Sequence, residues 1–220
     1  MKVAILSAIL GNFDKPVDPV EQELPEGVTE IAFHRFTDEN FPPITGMTPR
    51  MQYRLCKMFG WEMFQGYDIY IWLDGSVSLQ RPDCVKWYLE QLGDADAAFF
   101  RHPQRNTILD EAVHIDDKLR QNHWYITPRY KNGLHFEQVQ VANNDSTFKD
   151  TVLYTSTAFV YRNNEKGREL MKVWWYYQTR YYTCDQVNLP YAIHKSGAVV
   201  NRIPDNQYKI GYLSLVSHHK

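Results

Sequence analysis

Tyr67-Asp68-Ile69-Tyr70-Ile71-Trp72-Leu73-Asp74-Gly75-Ser76-Val77-Ser78-Leu79 decides how the rest of the chain is read. Its first half is a short apolar run rich in Ile, Tyr and Trp, as a buried strand requires. The run stops at an acidic residue, followed by Gly, Ser and a second short apolar alternation. In an α/β sheet, a carboxylate at the carboxyl end of a strand stands where ligands bind. On that reading Asp74 floors an active site. Asp-Gly between alternating apolar residues is also the strongest short hairpin signal, so a tight turn is the competing reading.

Upstream, Val3 to Leu10 reads as a central strand. It runs through Ser7-Ala8 into the loop Gly11-Asn12-Phe13-Asp14-Lys15-Pro16, which could contact a nucleotide but is no GxGxxG fingerprint. Residues 15 to 27 are rich in Pro and Glu and read as an exposed connection. Val28 to Phe36 is expected to be a second strand. Thr48-Pro49 is a helix-start signal, with Thr as cap and Pro at the first helical position. Met51, Leu55, Met58 and Phe59 then form an apolar stripe. Arg50, Arg54 and Lys57 fall together on another face at i, i+4 and i+7. Such a ridge usually only solvates a helix. Three cations leading towards Asp74 could instead hold a diphosphate.

Downstream, Pro82 to Gly93 reads as a helix and Asp96 to Arg101 as a strand. Residues 116 to 150 are polar, aromatic and poorly periodic, so irregular loops with at most one short helix are expected, a form common in binding loops and lids. Thr151 to Tyr161 reads as a strand. Asn164 then caps a long helix with the stripe Leu170, Val173, Trp174, Tyr177 and Tyr181. Val187 to Lys195 reads as a shorter helix and Val199 to Ile203 as a last strand. Alternating strands and helices imply an α/β sandwich with a mostly parallel sheet, and the absence of repeats or linkers implies one domain over 1–220.

The bulk numbers fit that picture. The chain has 220 residues, 44% hydrophobic and 15% aromatic, enough for a full-sized core without staples. A formal charge of −2 gives no global field for nucleic acid. No apolar run approaches the length of a membrane span. Met1 to Leu10 has a short apolar run but no small-residue cleavage site, so a strand is the better reading than a signal peptide. Cys56, Cys84 and Cys184 are far apart and odd in number, which argues against a disulfide framework or zinc site and for a reducing, cytoplasmic setting.

Three groups could carry chemistry. Asp74 and Ser76, two apart in a turn, offer a carboxylate and a hydroxyl, hard ligands suited to Mg²⁺ or Mn²⁺ bound together with substrate phosphates. A third ligand would help, and the terminal His218 or His219 is a candidate, although a chain end is more often a plain tail. Asp185-Gln186 follows the long helix and could accept a hydrogen bond from a substrate hydroxyl or stabilise positive charge at an anomeric carbon, unless Asp185 is only a helix cap. His102, Arg105, Asp110 and Glu111 form a further polar cluster, as plausibly a surface turn. GxSxG, P-loop and HExxH motifs are absent, so esterase, kinase-type and zincin chemistry lack support.

The order of these segments resembles nucleotide-sugar glycosyltransferases of the GT-A type. It is most similar to a small glycosyltransferase-like domain family, formerly of unknown function, with plant members linked to cell-wall polysaccharides. The resemblance rests on Arg54-Leu55-Cys56-Lys57, Tyr67 to Ser76, Phe100 to Arg105 with Glu111, Tyr154 to Arg162, and Trp174-Trp175 through Asp185-Gln186. It implies a Rossmann-like GT-A fold that binds a nucleoside-diphosphate sugar beside a DxD-type motif chelating a divalent metal. Asp74 takes the first acidic position, and Ser76 departs from the second. By the same likeness Arg54 and Lys57 face the donor phosphates, Asp185 lies near the reacting sugar, and a late His such as His218 completes the metal site. Ser7, Ala8, Asp14, Arg50, Gly75, His102 and Arg105 join the expected donor site, with Gln186 and Glu111 beside the chemistry. The partners implied are the sugar donor and a glycan or other hydroxyl acceptor. The alternative is a non-catalytic carbohydrate- or nucleotide-binding domain on the same scaffold.

Overall fold

The computed structural model describes residues 1–11, 14–204, 206–207 and 209–215. In chain order the elements are β1 (Lys2–Ile9), β2 (Glu30–Thr37), α1 (Pro49–Met63), β3 (Ile69–Asp74), β4 (Val77–Leu79), α2 (Cys84–Leu92) and β5 (Ala97–Arg101). They are followed by α3 (Ile108–Arg120), α4 (Thr127–Tyr130), α5 (His135–Asn143), β6 (Tyr154–Arg162), α6 (Glu165–Tyr181), α7 (Asp185–Ser196), β7 (Val200–Ile203) and β8 (Leu213–Leu215).

Among the described residues six strands form one sheet in the order β2-β1-β3-β6-β5-β7. The pairs β2–β1, β1–β3 and β5–β7 are parallel, and β6 runs antiparallel to both its neighbours. The sheet is therefore mixed and mostly parallel, as the sequence implies. Its central strands are covered on both faces, which is why they read as nearly unbroken apolar runs. Ala4, Leu6 and Ala8 of β1 pack with Cys56 and Met58 of α1 and with Leu170 and Trp174 of α6. Val3 and Ile5 face the other way, towards Val85 and Tyr88 of α2 and Leu79 of β4. The alternation places an α-helical layer on one face and α2 with the small β4–β8 pair on the other. The aromatic stripe of α6 is core: Trp174 packs against Phe99 and Phe159 of the sheet.

The hairpin reading of Asp74-Gly75 does not hold. β3 pairs with β1 and β6, whereas β4 leaves the large sheet and pairs with β8. Asp74 is thus a strand end. Gly75 is required by closeness, since a Cβ there would lie 2.7 Å from the Ala8 carbonyl oxygen and 2.8 Å from the Ile9 side chain. Residues 116 to 150 also differ from expectation, because α3, α4 and α5 occupy most of them. The start of α3 has a capping box between Thr107 and Asp110. That device was written in the sequence as Thr-x-x-Asp, a variant of the usual Glu or Gln ending. No described helix is long and apolar enough to cross a membrane.

Candidate functional site

In the strand order, β1 lies between β2 and β3. The chain leaves β1 towards one edge of the sheet and leaves β3 towards the other, so the connections that follow them part. A divergence of this kind opens a crevice where open α/β sheets bind ligands. A cavity of about 520 Å³ lies there. Its floor comes from Ala8 to Gly11 after β1 and from Asp74, Gly75 and Ser76 after β3. Ala8 and Asp74 are register partners across the two strands. One wall is the start of α1, with Thr48, Pro49, Arg50, Tyr53 and Arg54. Tyr125 and Pro128 to Tyr130, around α4, form another wall, and Tyr182 contributes from the end of α6.

The carboxylate of Asp74 is held rigidly. Its Oδ1 accepts from Trp72 Nε1 at 2.7 Å, accepts from the Tyr53 hydroxyl, and stands 3.0 Å from Lys57 Nζ. Oδ2 has no hydrogen-bond partner among the described residues. Burial raises the Asp74 carboxyl above its ordinary value, although Lys57, Tyr53 and Trp72 all act to lower it. Burial, and then the neighbouring Asp74, push the Tyr53 phenol well above its usual range, so it stays the donor in this pair.

Lys57 and Arg54 are not a solvated ridge. They are 1% and 2% exposed and belong to the buried face of α1. Lys57 Nζ bridges Asp74 and Asp185, 3.0 Å from an oxygen of each. Arg54 Nε lies 2.8 Å from Asp185 Oδ1, and its Nη2 donates to the Thr183 carbonyl at 2.7 Å. Burial alone would raise Asp185, but Arg54, Lys57 and Arg50 outweigh it and hold the carboxyl well below its usual range. Burial would likewise lower Lys57, but Asp74 and Asp185 overcome it, and its pKa rises. The result is a buried chain of alternating charges, Arg54–Asp185–Lys57–Asp74, beneath the cavity floor.

The residues expected at the site therefore separate. Ala8, Asp14, Arg50, Arg54, Asp74, Gly75 and Ser76 line the cavity. Ser7 is buried in β1 and does not line it. Lys57 sits under the floor, and Arg54 lines the cavity with its guanidinium committed to Asp185 and Thr183, so neither is a free phosphate arm. Asp185 is the first residue of α7, not its cap, and turns both oxygens to cations instead of the cavity. Gln186 pairs with the Cys184 thiol. His102, Arg105 and Glu111 cluster beyond β5 outside the cavity lining, where Arg105 pairs with buried Glu111 and the Arg105 backbone N–H donates to His102 Nδ1 at 3.0 Å. Glu111 Oε1 accepts from the Cys184 thiol at 3.8 Å and so meets the Asp185-Gln186 end of the site. Burial, with Arg105 beside it, pulls His102 down to about 4, so the ring is neutral. His218 lies outside the described residues.

Several lining residues escaped the sequence reading: Tyr53, Tyr125, Arg129, Tyr130 and Tyr182. Tyr53 could have been found, being one turn before Lys57 on the same helix face. The others come from segments that periodicity alone does not bring to the cavity. Arg50 stacks on Tyr130, 3.9 Å from the ring centroid, and donates through Nη1 to the Arg129 carbonyl. Among the described residues its Nη2 is buried without a hydrogen-bond partner. Tyr182 caps α6 with φ of 50°, in the left-handed region that a bulky residue rarely adopts.

A divalent metal fits this donor set poorly. Among the described residues no group of three His, Cys, Asp or Glu side chains is placed to hold one. Asp74 already carries an ammonium group on Oδ1, and Ser76 supplies only a hydroxyl.

Neither a protein-family model nor a curated protein sequence matches the chain. Solved structures give loose likenesses. A glycosyltransferase involved in glycosylation of the major capsid of PBCV-1 is 9% identical, with 92% of this chain and 81% of that chain covered and a TM-score of 0.45. Mouse xyloside xylosyltransferase 1 in its apo form is also 9% identical, with coverages of 92% and 85% and a TM-score of 0.48. CMP:2-keto-3-deoxy-manno-octonic acid synthetase complexed with CTP is 12% identical, with coverages of 93% and 90% and a TM-score of 0.43. At these identities and scores the likenesses assign no activity, and the reading of the site rests on its geometry.

Proposed function

We propose that the chain is a glycosyltransferase that moves a sugar from a nucleoside-diphosphate sugar to an acceptor hydroxyl. The observation that carries this reading is the cavity at the carboxyl ends of β1 and β3, where one rigid carboxylate meets arginine and several tyrosines. Its volume of about 520 Å³ lies within the roughly 300–1,000 Å³ of small-molecule sites. Tyrosine rings supply flat faces for a base or sugar. The first turn of α1 holds no acidic residue and presents Arg50 at a helix N-terminus, favourable to a phosphate. Asp74 Oδ2 would accept a sugar or ribose hydroxyl.

Transfer requires that the leaving diphosphate be stabilised and the acceptor hydroxyl be held in line. Arg50 would serve the first need. For the second, the cavity mouth between α1 and α4 is where an acceptor would approach. Asp185 and Lys57 act indirectly, as positioning residues that fix Asp74.

One observation favours a second reading, a binding domain without chemistry: Asp185, the expected reactive carboxylate, is closed off by Arg54 and Lys57. A donor-hydrolysis assay over UDP-, GDP-, CMP- and dTDP-sugars separates the two. Release of free sugar that is lost in Asp74→Ala supports the transferase. Tight binding that protects the donor from hydrolysis supports the binder.

A further inference from the structure

We infer that the cavity takes its diphosphate on resident cations, chiefly Arg50, and not on a divalent metal carried by Asp74. The inference rests on the reading of the cavity as a nucleotide-sugar site and specifies how the charge is met. A divalent cation beside a phosphate is held through one or two carboxylates. Asp74 Oδ1 is already taken by Lys57 Nζ at 3.0 Å, Tyr53 and Trp72, which leaves Oδ2, and among the described residues no three His, Cys, Asp or Glu side chains are grouped to hold a metal. A metal on this carboxylate would face that ammonium group in a poorly solvated site. Asp185, the nearest carboxylate in the network, has both oxygens against Arg54 and Lys57.

The charge balance agrees. Around and beneath the cavity stand Arg50, Arg54, Lys57 and Arg129, against Asp14, Asp74 and Asp185. Four cations less three carboxylates leave the described site at about +1, suited to an anion without further charge. Arg50 lines the cavity and brings a buried Nη2 that lacks an acceptor among the described residues. A phosphate oxygen would give it one, relieving the cost of an unmade hydrogen bond. The guanidinium is already oriented by Tyr130 and the Arg129 carbonyl, so little side-chain freedom is lost on binding.

The test is calorimetric titration of the unaltered protein with UDP, GDP, CDP and dTDP, in EDTA and in Mn²⁺ or Mg²⁺. The inference expects at least one nucleoside diphosphate to bind in EDTA, with metal tightening it by less than about threefold. It expects Arg50→Gln to weaken that binding by about tenfold or more, the scale of one charge-assisted hydrogen bond. Asp74→Asn should change it by the same factor in EDTA as in Mn²⁺, to within about threefold, because no metal is lost. Arg50→Lys, which keeps the charge, should fall between Arg50→Gln and the unaltered protein. Binding seen only with metal and abolished in Asp74→Asn overturns the inference while leaving the nucleotide-sugar reading intact. No binding of any diphosphate in either condition overturns that reading, and the inference with it. Equilibrium dialysis against Mn²⁺ alone adds an arm without nucleotide: stoichiometric Mn²⁺ lost in Asp74→Asn also overturns the inference.

Discussion

Asp74 and Asp185 grip the same ammonium group, Lys57 Nζ, each at 3.0 Å, yet their carboxyl groups shift in opposite directions. Asp74 is raised because burial outweighs one cation and two neutral donors. Asp185 is lowered because Arg54, Lys57 and Arg50 together outweigh a similar burial. Their exposure differs too: the Asp74 side chain is 25% accessible and that of Asp185 is 12%. A shared ammonium partner at one distance therefore does not make identical roles. The count of surrounding charges leaves Asp185 a counter-ion of the fold and leaves one oxygen of Asp74 to a ligand.

The largest expected effect breaks the Asp185 side. Asp185→Ala leaves Arg54 buried without its carboxylate and removes one of the two carboxylates on Lys57, and should cost about 3–5 kcal/mol of unfolding free energy by urea titration. Asp74→Ala should cost clearly less, since Lys57 keeps Asp185. An equal or larger loss in Asp74→Ala would place the structural counter-ion at the cavity floor and undo the contrast.

The contrast also has a pH signature. Asp185, with its folded value depressed, contributes stability that is fully present above its unfolded value near 3.9 and is lost as pH falls towards its folded value. The stability gap between the unaltered protein and Asp185→Asn should therefore be widest near neutral pH and narrow below about pH 4. Asp74, with its folded value raised, runs the other way. Its charged form is disfavoured by folding, so its contribution improves as pH falls through the folded value. Asp74→Asn should remove that improvement and steepen the acid loss. Parallel urea titrations across this range check both signs, and a gap that widens in acid would refute the assignment to Asp185.

How much of this was legible in the sequence depends on where each residue's partner lies. The Thr48 cap was legible because its signal is local: its hydroxyl accepts from the Met51 N–H, three residues on. The strand end at Asp74 was legible from composition. The fates of Arg54 and Lys57 were not, because helical periodicity sends charges to solvent and Asp185, which draws both inward alongside Asp74 on Lys57, is 128 residues from Lys57. The predicted stripe held at Met51 and Met58, which are buried, and erred at Leu55 and Phe59, which are only half buried while the two cations are buried. α4 and β8 are short, four and three residues, below the length at which a period can be read.

Gly75→Ala probes how Asp74 is presented. A Cβ at 75 meets backbone and side chain of β1 below 3.0 Å, so the β3 end must move away from Ala8. The expected cost is about 1–3 kcal/mol, as for other overpacked sites. Nucleotide binding should weaken along with it, because Asp74 and Ser76 move with the turn. Retained binding at unchanged stability would mean that the turn can yield without moving Asp74.

The smallest expected effect lies at Tyr182, where the chain passes from the cavity wall to the Thr183 carbonyl that anchors Arg54. Its left-handed backbone is a conformation glycine adopts without strain, and α6 ends there as helices often end at glycine. The side chain returns little: its hydroxyl lies 3.4 Å from Thr48 Oγ1 at the cavity edge. Tyr182→Gly should therefore raise unfolding free energy by roughly 0.5–1 kcal/mol while weakening nucleotide binding. Opposite signs in stability and affinity from one substitution would mark a residue kept for the ligand at the expense of the fold. A variant that loses stability and leaves affinity unchanged would make Tyr182 a packing residue, and the aromatic wall of the cavity would then rest on Tyr53, Tyr125 and Tyr130.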